Sequence, residues 1–262
     1  MLTAVERRRF EKVNSKGLFL ISIRALKKKN FLKMNKIIKE ILVGNLLGDA
    51  SIKRTLSGKS YVTFEQSTKK SDYLNYLYEI VKENGIPLKK DHVTTYSRFD
   101  ERFGVTNQSL YFRTEAIEEL NPLADLFLNE SGKKIVPHNI SEHLSERGLA
   151  HWIMDDGQRV ARGGVTLCTD SFDSEEVGIL REALTKNFNL ITSIHNKKSK
   201  TGSVYERIYV NKDSLDSIKP TLSTHLHDSM LYKVNLDKNF KQDTEGFISD
   251  SDIISDIDIF DT

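Results

Sequence analysis

One cysteine, Cys168, stands alone in 262 residues. No disulfide can close within the chain, and a reducing compartment is expected. Cys168 lies in the strand-like run Val165-Thr-Leu-Cys-Thr169, so it reads as a small buried hydrophobe rather than a nucleophile. Long apolar runs are also missing. None approaches the roughly 18 residues needed to cross a bilayer, so no membrane partner is expected. Charge of one sign is lacking too, with 39 Lys and Arg against 37 Asp and Glu, a net of +2. Gross charge therefore does not announce a nucleic-acid binder. That balance hides an asymmetry. Residues 1–36 carry eleven basic and two acidic side chains (+9), residues 235–262 carry eight acidic and two basic (−6), and the stretch between sits near −1. The 38% hydrophobic content can build a real core, and the length suits one large domain or two medium ones.

Two ends of the sequence stand apart from the middle. The first, residues 1–36, places Arg7-Arg-Arg9 and Lys27-Lys-Lys29 around an apolar stretch. Three readings stay open: a basic arm on nucleic acid, an organelle transit peptide weakened by Glu6 and Glu11, or an extension of the reading frame. The acidic tail, residues 235–262, reads as a solvated segment, with a DNA-mimicking shield as the alternative.

What the middle contains is a pair of matching stretches, Leu42-Val-Gly-Asn-Leu-Leu-Gly-Asp49-Ala50 and Leu149-Ala-His-Trp-Ile-Met-Asp-Asp156-Gly157. Each is an apolar helical run that delivers a carboxylate at its end. A helix C-terminus is the negative end of the macrodipole, where an unpaired acid costs a few tenths to about 1 kcal/mol. Something positive is therefore expected at both ends, and a divalent metal held between the two carboxylates would resolve the conflict. Gly44 and Gly48 lie four residues apart on one helical face, each costing about 1 kcal/mol relative to alanine. Close approach of a second helix would offset that cost; the alternative is that they merely end the helix. The matching positions in the second run, His151 and Asp155, are larger, so a small-against-large interface is expected. His151 then reads as a packed, hydrogen-bonded interface residue rather than a metal ligand, and Trp152 as core rather than a stacking platform.

The two runs resemble the signature of the LAGLIDADG homing endonucleases. Leu42, Gly44 and Asp49 carry the resemblance in the first; Leu149, Ala150, Ile153, Asp156 and Gly157 carry it in the second. The chain looks most like the single-chain, two-motif branch typified by the mitochondrial omega-intron endonuclease, with Gly-Asp-Ala first and Met-Asp-Asp-Gly second. Lys133-Lys134-Ile-Val-Pro137 and Met230-Leu-Tyr-Lys233 extend it over roughly residues 37–234.

Between the ends the chain reads as an internal duplication, residues 37–140 and 141–234. Each motif helix precedes a hairpin: strands near 52–56 and 60–66 turning at Ser57-Gly58, and near 159–162 and 165–169 turning at Gly163-Gly164. Helices are predicted over 71–84 and 174–188. Second hairpins follow near 93–99 with 105–113, and near 191–197 with 203–210. Short helical segments close each copy, over 115–128 and 214–222. The order is α+β, αββαββα twice. By resemblance, each copy's four strands form a curved antiparallel sheet, and the two sheets make a saddle over DNA with the motif helices at the centre.

The resemblance implies a site-specific endonuclease that hydrolyses both strands of duplex DNA and mobilises its own intron. Asp49 and Asp156 would hold Mg²⁺, with Mn²⁺ able to substitute. Hard oxygen ligands and few His or Cys favour Mg²⁺ over Zn²⁺. Lys134 and Lys233, at the matching place in each copy, would be catalytic beside the attacking water or the developing charge, with Lys133 competing for the role of Lys134. Asp155 falls where the signature has Ala and reads as a supporting or capping group. If Ile52, Leu56, Val62 and Phe64 face the core, period two sends Lys53, Thr55, Tyr61, Thr63 and Glu65 toward DNA. The same logic nominates Tyr111 and Arg113, then Tyr205 and Arg207. The partner would be duplex DNA with a long asymmetric site, met by a monomer that already carries both half-sites. An intron RNA-binding maturase is the rival reading. No splicing half flanks the repeats, which disfavours an intein. Abundant Lys, Asn and Ile suggest an organellar genome, mitochondrial or chloroplast.

Overall fold

The computed structural model of the chain describes residues 34–101, 104–199 and 202–237. The expectations for the basic N-terminal segment and the acidic tail fall almost wholly outside these residues.

The duplicated pattern is realised. The first copy runs α1 (Lys36–Leu47), β1 (Ser51–Arg54), β2 (Ser60–Ser67), α2 (Ser71–Glu83), β3 (Thr94–Asp100), β4 (Val105–Arg113) and α3 (Asn121–Phe127). The second runs α4 (Glu146–Asp156), β5 (Gly157–Arg159), β6 (Val165–Leu167), α5 (Ser174–Phe188), β7 (Thr192–Lys198), β8 (Val204–Val210) and α6 (Lys212–Ser223). Each copy makes a four-stranded antiparallel sheet, in the orders β1-β2-β4-β3 and β5-β6-β8-β7. Short 3₁₀ turns lead into α3 and form the segment Asp228–Val234.

Local chemistry accounts for the boundaries. The Ser145 side chain accepts from Gly148 N to start α4. Asp173 and Glu176 form a reciprocal capping box at the start of α5, which stops at Asn189 in the left-handed region, φ 54°. Period two holds in β2, where Val62, Phe64 and Gln66 are buried and Tyr61, Thr63 and Glu65 are not. The core lies beneath the sheets and along α1, whose residues from Ile41 to Leu47 are all buried, as are Leu149 to Asp155 in α4. Trp152 is fully buried, as expected of a core residue.

Two local expectations are corrected. Leu56 does not face the core: it stands fully exposed in the first hairpin turn. β1 has ended at Arg54, and the Thr55 hydroxyl donates to Lys59 O at 2.9 Å, so Thr55 closes the turn instead of continuing the strand. In the second hairpin the strand begins at Gly157, directly at the helix end, and stops at Arg159. Gly163 and Gly164, with φ of 94° and 82°, then turn the chain into Val165, which pairs with Arg159. The second hairpin is therefore shorter and closer to its helix than the first.

Candidate active site

The first motif helix supplies gaps and the second fills them. A Cβ on Gly44 would stand 2.1 Å from Gly148 O and 2.9 Å from His151 Cβ. A Cβ on Gly48 would stand 2.4 Å from Asp155 Cβ. α1 and α4 therefore cross with almost no side chain between their backbones, and both deliver their acids to the same place. His151 is buried in this contact and stacks on Tyr76, with ring centroids 6.2 Å apart. The expected hydrogen bonding is incomplete, because its Nδ1 has no partner among the described residues. Burial, with the charges of Arg147 and His225, holds its pKa down to about 3, so the imidazole is neutral.

Two adjacent acids of the second motif point to different surroundings. Asp155 is buried and turned into the interface. It accepts from Tyr73 OH at 2.8 Å, Asn45 Nδ2 at 2.9 Å, Asp49 N at 3.3 Å and Gln66 Nε2 at 3.3 Å. Burial and the Asp49 charge still push its pKa up to about 7, against the lowering effect of Asn45, Tyr73 and Lys70. It is thus a brace between the copies, more extensive than a simple cap. Asp156 is half-buried. Its pKa is raised well above the carboxylate range by burial, then by the charges of Asp49 and Asp155, while Lys134 and Lys233 oppose the rise. Asp49 is exposed at the end of the first motif. It accepts from Gln66 Nε2 at 2.6 Å and lies 3.8 Å from Lys70 Nζ.

The positive groups expected at the helix ends are present, and they are lysines. Lys134 Nζ donates to Gly48 O at 2.9 Å and Ala50 O at 3.2 Å. Lys233 Nζ donates to Met154 O at 2.6 Å and Asp155 O at 2.9 Å. Lys233 therefore caps the last carbonyls of α4, while Lys134 holds the carbonyls of the turn that directly follows α1. Burial lowers the pKa of both ammonium groups. Lys233 is brought to about 8, with Lys70 repulsion adding to burial and the three aspartates opposing. Lys133, the competitor, is exposed and stands outside this arrangement.

The donor set fits a hard cation of low protein coordination. Asp49 and Asp156 present carboxylate oxygens, and mutual repulsion of three acids is the charge that a cation would relieve. Among the described residues no group of three or more His, Cys, Asp or Glu forms a metal cage. A cation held here would complete its shell with water and substrate oxygens, as Mg²⁺ does.

In the first sheet Lys53, Tyr61, Thr63, Glu65, Tyr111 and Arg113 share one face, and in the second Tyr205 and Arg207 share one. Lys53 pairs with Tyr61, Thr63 with Arg113 and Glu65 with Tyr111 across the first sheet. Arg113 lies over the Tyr61 ring at 4.5 Å, and Glu65 accepts from Ser109 Oγ at 2.6 Å. Tyr205 pairs with Lys197, and Arg207 with His195, on the second sheet. Arg207 is buried, and its guanidinium is forked on Asp170 and bonded to Gln158. Pairing adds residues that the sequence reading did not name: Tyr96, His195, Lys197 and Tyr209 share these faces. It also missed Gln66 and Lys70. Parity could have found Gln66, a polar residue in step with Val62 and Phe64 on the buried face; Lys70 had no such signal.

A model of the LAGLIDADG DNA endonuclease family matches residues 39–218. The chain is 29% identical over 214 residues to a cytochrome b mRNA maturase bI2 of Debaryomyces hansenii, covering 78% of this chain and 76% of that protein. It is 27% identical over 215 residues to a probable intron-encoded endonuclease 1 of Wickerhamomyces canadensis, covering 79% and 87%. Among solved structures it is similar to the homing endonuclease I-WcaI bound to its DNA recognition sequence, at 27% identity and a TM-score of 0.67, over 79% of this chain and 89% of that one.

Proposed function

The chain belongs to the LAGLIDADG DNA endonuclease family, and from that premise we propose an intron-encoded endonuclease that cuts both strands of a specific duplex at Asp49 and Asp156. The observation that carries this reading is the crossing of α1 and α4, which brings two carboxylates together while a lysine satisfies each helix end. Asp49 and Asp156 would hold divalent cations, Mg²⁺ or Mn²⁺. Such a cation, when bound, activates water and clamps the oxygens of an in-line displacement.

The chain's own residues do the rest. Gln66 fixes the Asp49 carboxylate, and Lys70 adds a positive charge beside it. Lys134 and Lys233 offset the charge of the acids and of a phosphate approaching them, while keeping the helix ends intact. Residues 37–140 and 141–234 would each serve one half-site. At matched places their sheet faces carry different residues, Ser51 against Gln158 and Arg113 against Tyr209, though Thr63 and Thr166 agree, which suits a long asymmetric target met by a monomer. Lys53, Tyr61, Thr63, Glu65, Tyr111, Arg113 and Tyr205 would contact DNA, with Thr55 at the hairpin turn. Arg207 would do so only by leaving Asp170. Similarity to a relative named as intron-encoded and to one named for cytochrome b mRNA supports expression inside an organelle, mitochondrion or chloroplast.

The test is cleavage of the intron-free allele of the host gene with and without Mg²⁺. A metal-dependent double-strand break is expected. The similarity to a maturase supports the rival reading, intron RNA binding. No break, together with tight binding of the intron transcript, would select it.

A further inference from the structure

Resting on that endonuclease reading, we propose that the two half-sites are chemically unequal: the strand at the Asp49 side is cut first, and the chain works through a nicked duplex. Strand registers align the copies residue by residue. Ser51 faces Thr63 in the first hairpin and Gln158 faces Thr166 in the second. Both lie two residues past their motif acids, so Gln66 corresponds to Thr169. Lys70 and Asp173 are the N-cap positions of α2 and α5, each four residues further on.

The groups at these matched places differ in kind. Around Asp49, Gln66 donates to the carboxylate and Lys70 supplies a cation. Around Asp156, the Thr169 hydroxyl donates instead to Glu206 O. Asp173 is an acid, committed to the capping box of α5 through Glu176 N. Among the described residues the Asp156 carboxylate accepts no hydrogen bond; its neighbours act on it through charge.

Asp155 adds a one-way brace. Its counterpart in the first motif is Gly48, which has no side chain. Asp155 reaches from the second copy to hold Gln66 and the Asp49 amide of the first, and is itself tied by Asn45 and Tyr73. From the first copy, Lys70 Nζ donates to Asp155 O at 3.4 Å, a backbone atom and not the Asp156 carboxylate, and Gly48 can carry no side chain because a Cβ there would collide with Asp155. A carboxylate fixed before substrate arrives needs no reorganisation during the reaction, whereas a loosely held one does. Asp155 is thus a positioning residue for the Asp49 half-site alone.

The test is a supercoiled plasmid carrying a cleavable target selected from randomised duplexes, with each strand labelled separately. Nicked circle should accumulate before linear product, with the first nick always in the same strand. Lys70→Met should slow that first nick by about a hundredfold and so reverse the strand order. Asp155→Ala should shrink the preference, and Asp155→Asn, which keeps one acceptor oxygen, should restore part of it. Gel shift of the uncut duplex in EDTA reports that each variant is folded; Lys70 is partly exposed, so its variant serves if Asp155→Ala fails to fold. Direct passage from supercoiled to linear DNA, or a strand preference that survives Lys70→Met, overturns the inequality. A wild-type chain that cuts no target overturns the endonuclease reading, and the inequality with it.

Discussion

Replacing Gly44 by alanine should destabilise the fold, although alanine is the better helix former. The new Cβ would stand 2.1 Å from Gly148 O and 2.9 Å from both Gly148 C and His151 Cβ. A comfortable contact is about 3.5 Å, so α1 and α4 would have to part by more than an ångström. The nearest atom is backbone, with no flexible end to swing aside. Overpacking costs about 1–3 kcal/mol, and a rigid contact belongs near the top of that range. Helix propensity returns about 1 kcal/mol, leaving a net loss of about 2 kcal/mol. Gly48→Ala meets Asp155 Cβ at 2.4 Å and Oδ2 at 2.7 Å, so it also disturbs the oxygen that accepts from Asn45 and Asp49 N.

Gly178 is the matched control. It sits inside α5 with nothing within 4 Å of its would-be Cβ. Gly178→Ala should therefore gain about 1 kcal/mol. For a chain of this size 1 kcal/mol moves Tm by about 2–4 °C, so Gly44→Ala should fall by about 6 °C and Gly178→Ala rise by about 3 °C. Urea melts should show midpoints displaced in opposite directions at unchanged slope. If both substitutions raise the midpoint, α1 and α4 do not touch at Gly44 and the crossing is wrong.

His151 titrates at about 6.5 when unfolded and near 3 when folded, so the unfolded chain binds the extra proton and stability is lost as pH falls from 6.5 to 3, by up to about 5 kcal/mol. Asp155, raised to about 7, acts in the opposite sense between pH 3.8 and 7; the difference between urea melts of wild type and His151→Gln isolates the histidine, and parallel pH profiles would exclude its burial as a neutral group. Lys233→Met should cost about 2–3 kcal/mol in a urea melt, because two buried carbonyls lose a charged donor. Lys134→Met should cost less, its bonds being longer and the residue half-buried; equal midpoints for both variants and wild type would remove the capping role. Asp49→Asn and Asp156→Asn should each slow cleavage by about a hundredfold or more, while gel-shift affinity for uncut target persists; loss of binding in step with cutting would place these acids in recognition instead.

The fold was legible because its signals are local. Hairpins announced themselves by glycine-bearing turns and alternation, and both motif helices by apolar runs ending in an acid. Where a side chain's role depends on a partner far away in sequence, local pattern could not reach it. Leu56 has the parity of a core residue, yet the chain has already turned at Thr55. Arg207 shares the outward parity of Tyr205, but Asp170, just beyond the end of β6, claims its guanidinium. The candidate site was half legible. Its acids and lysines recur in both copies, and repetition made them visible. Gln66, Lys70, Tyr73 and Asn45 have no such echo, since they answer to Asp155, a residue present in one motif only.

The lysines explain how two acids can end two helices before any cation arrives. A direct ion pair between each lysine and its acid would also have offset the dipole, but it would have occupied the carboxylate. Here Lys233 bonds the last carbonyls of α4 and Lys134 those of the turn just past α1, so an ammonium stands at the negative end of each helix. The acids then divide by direction. Asp155 turns inward and spends its oxygens on four donors. Asp49 is exposed and Asp156 half-buried, and the charge of Asp49 acts on Asp156. Such an arrangement stores repulsion in the folded state, and burial of Asp156 intensifies it. A bound cation would lower that energy.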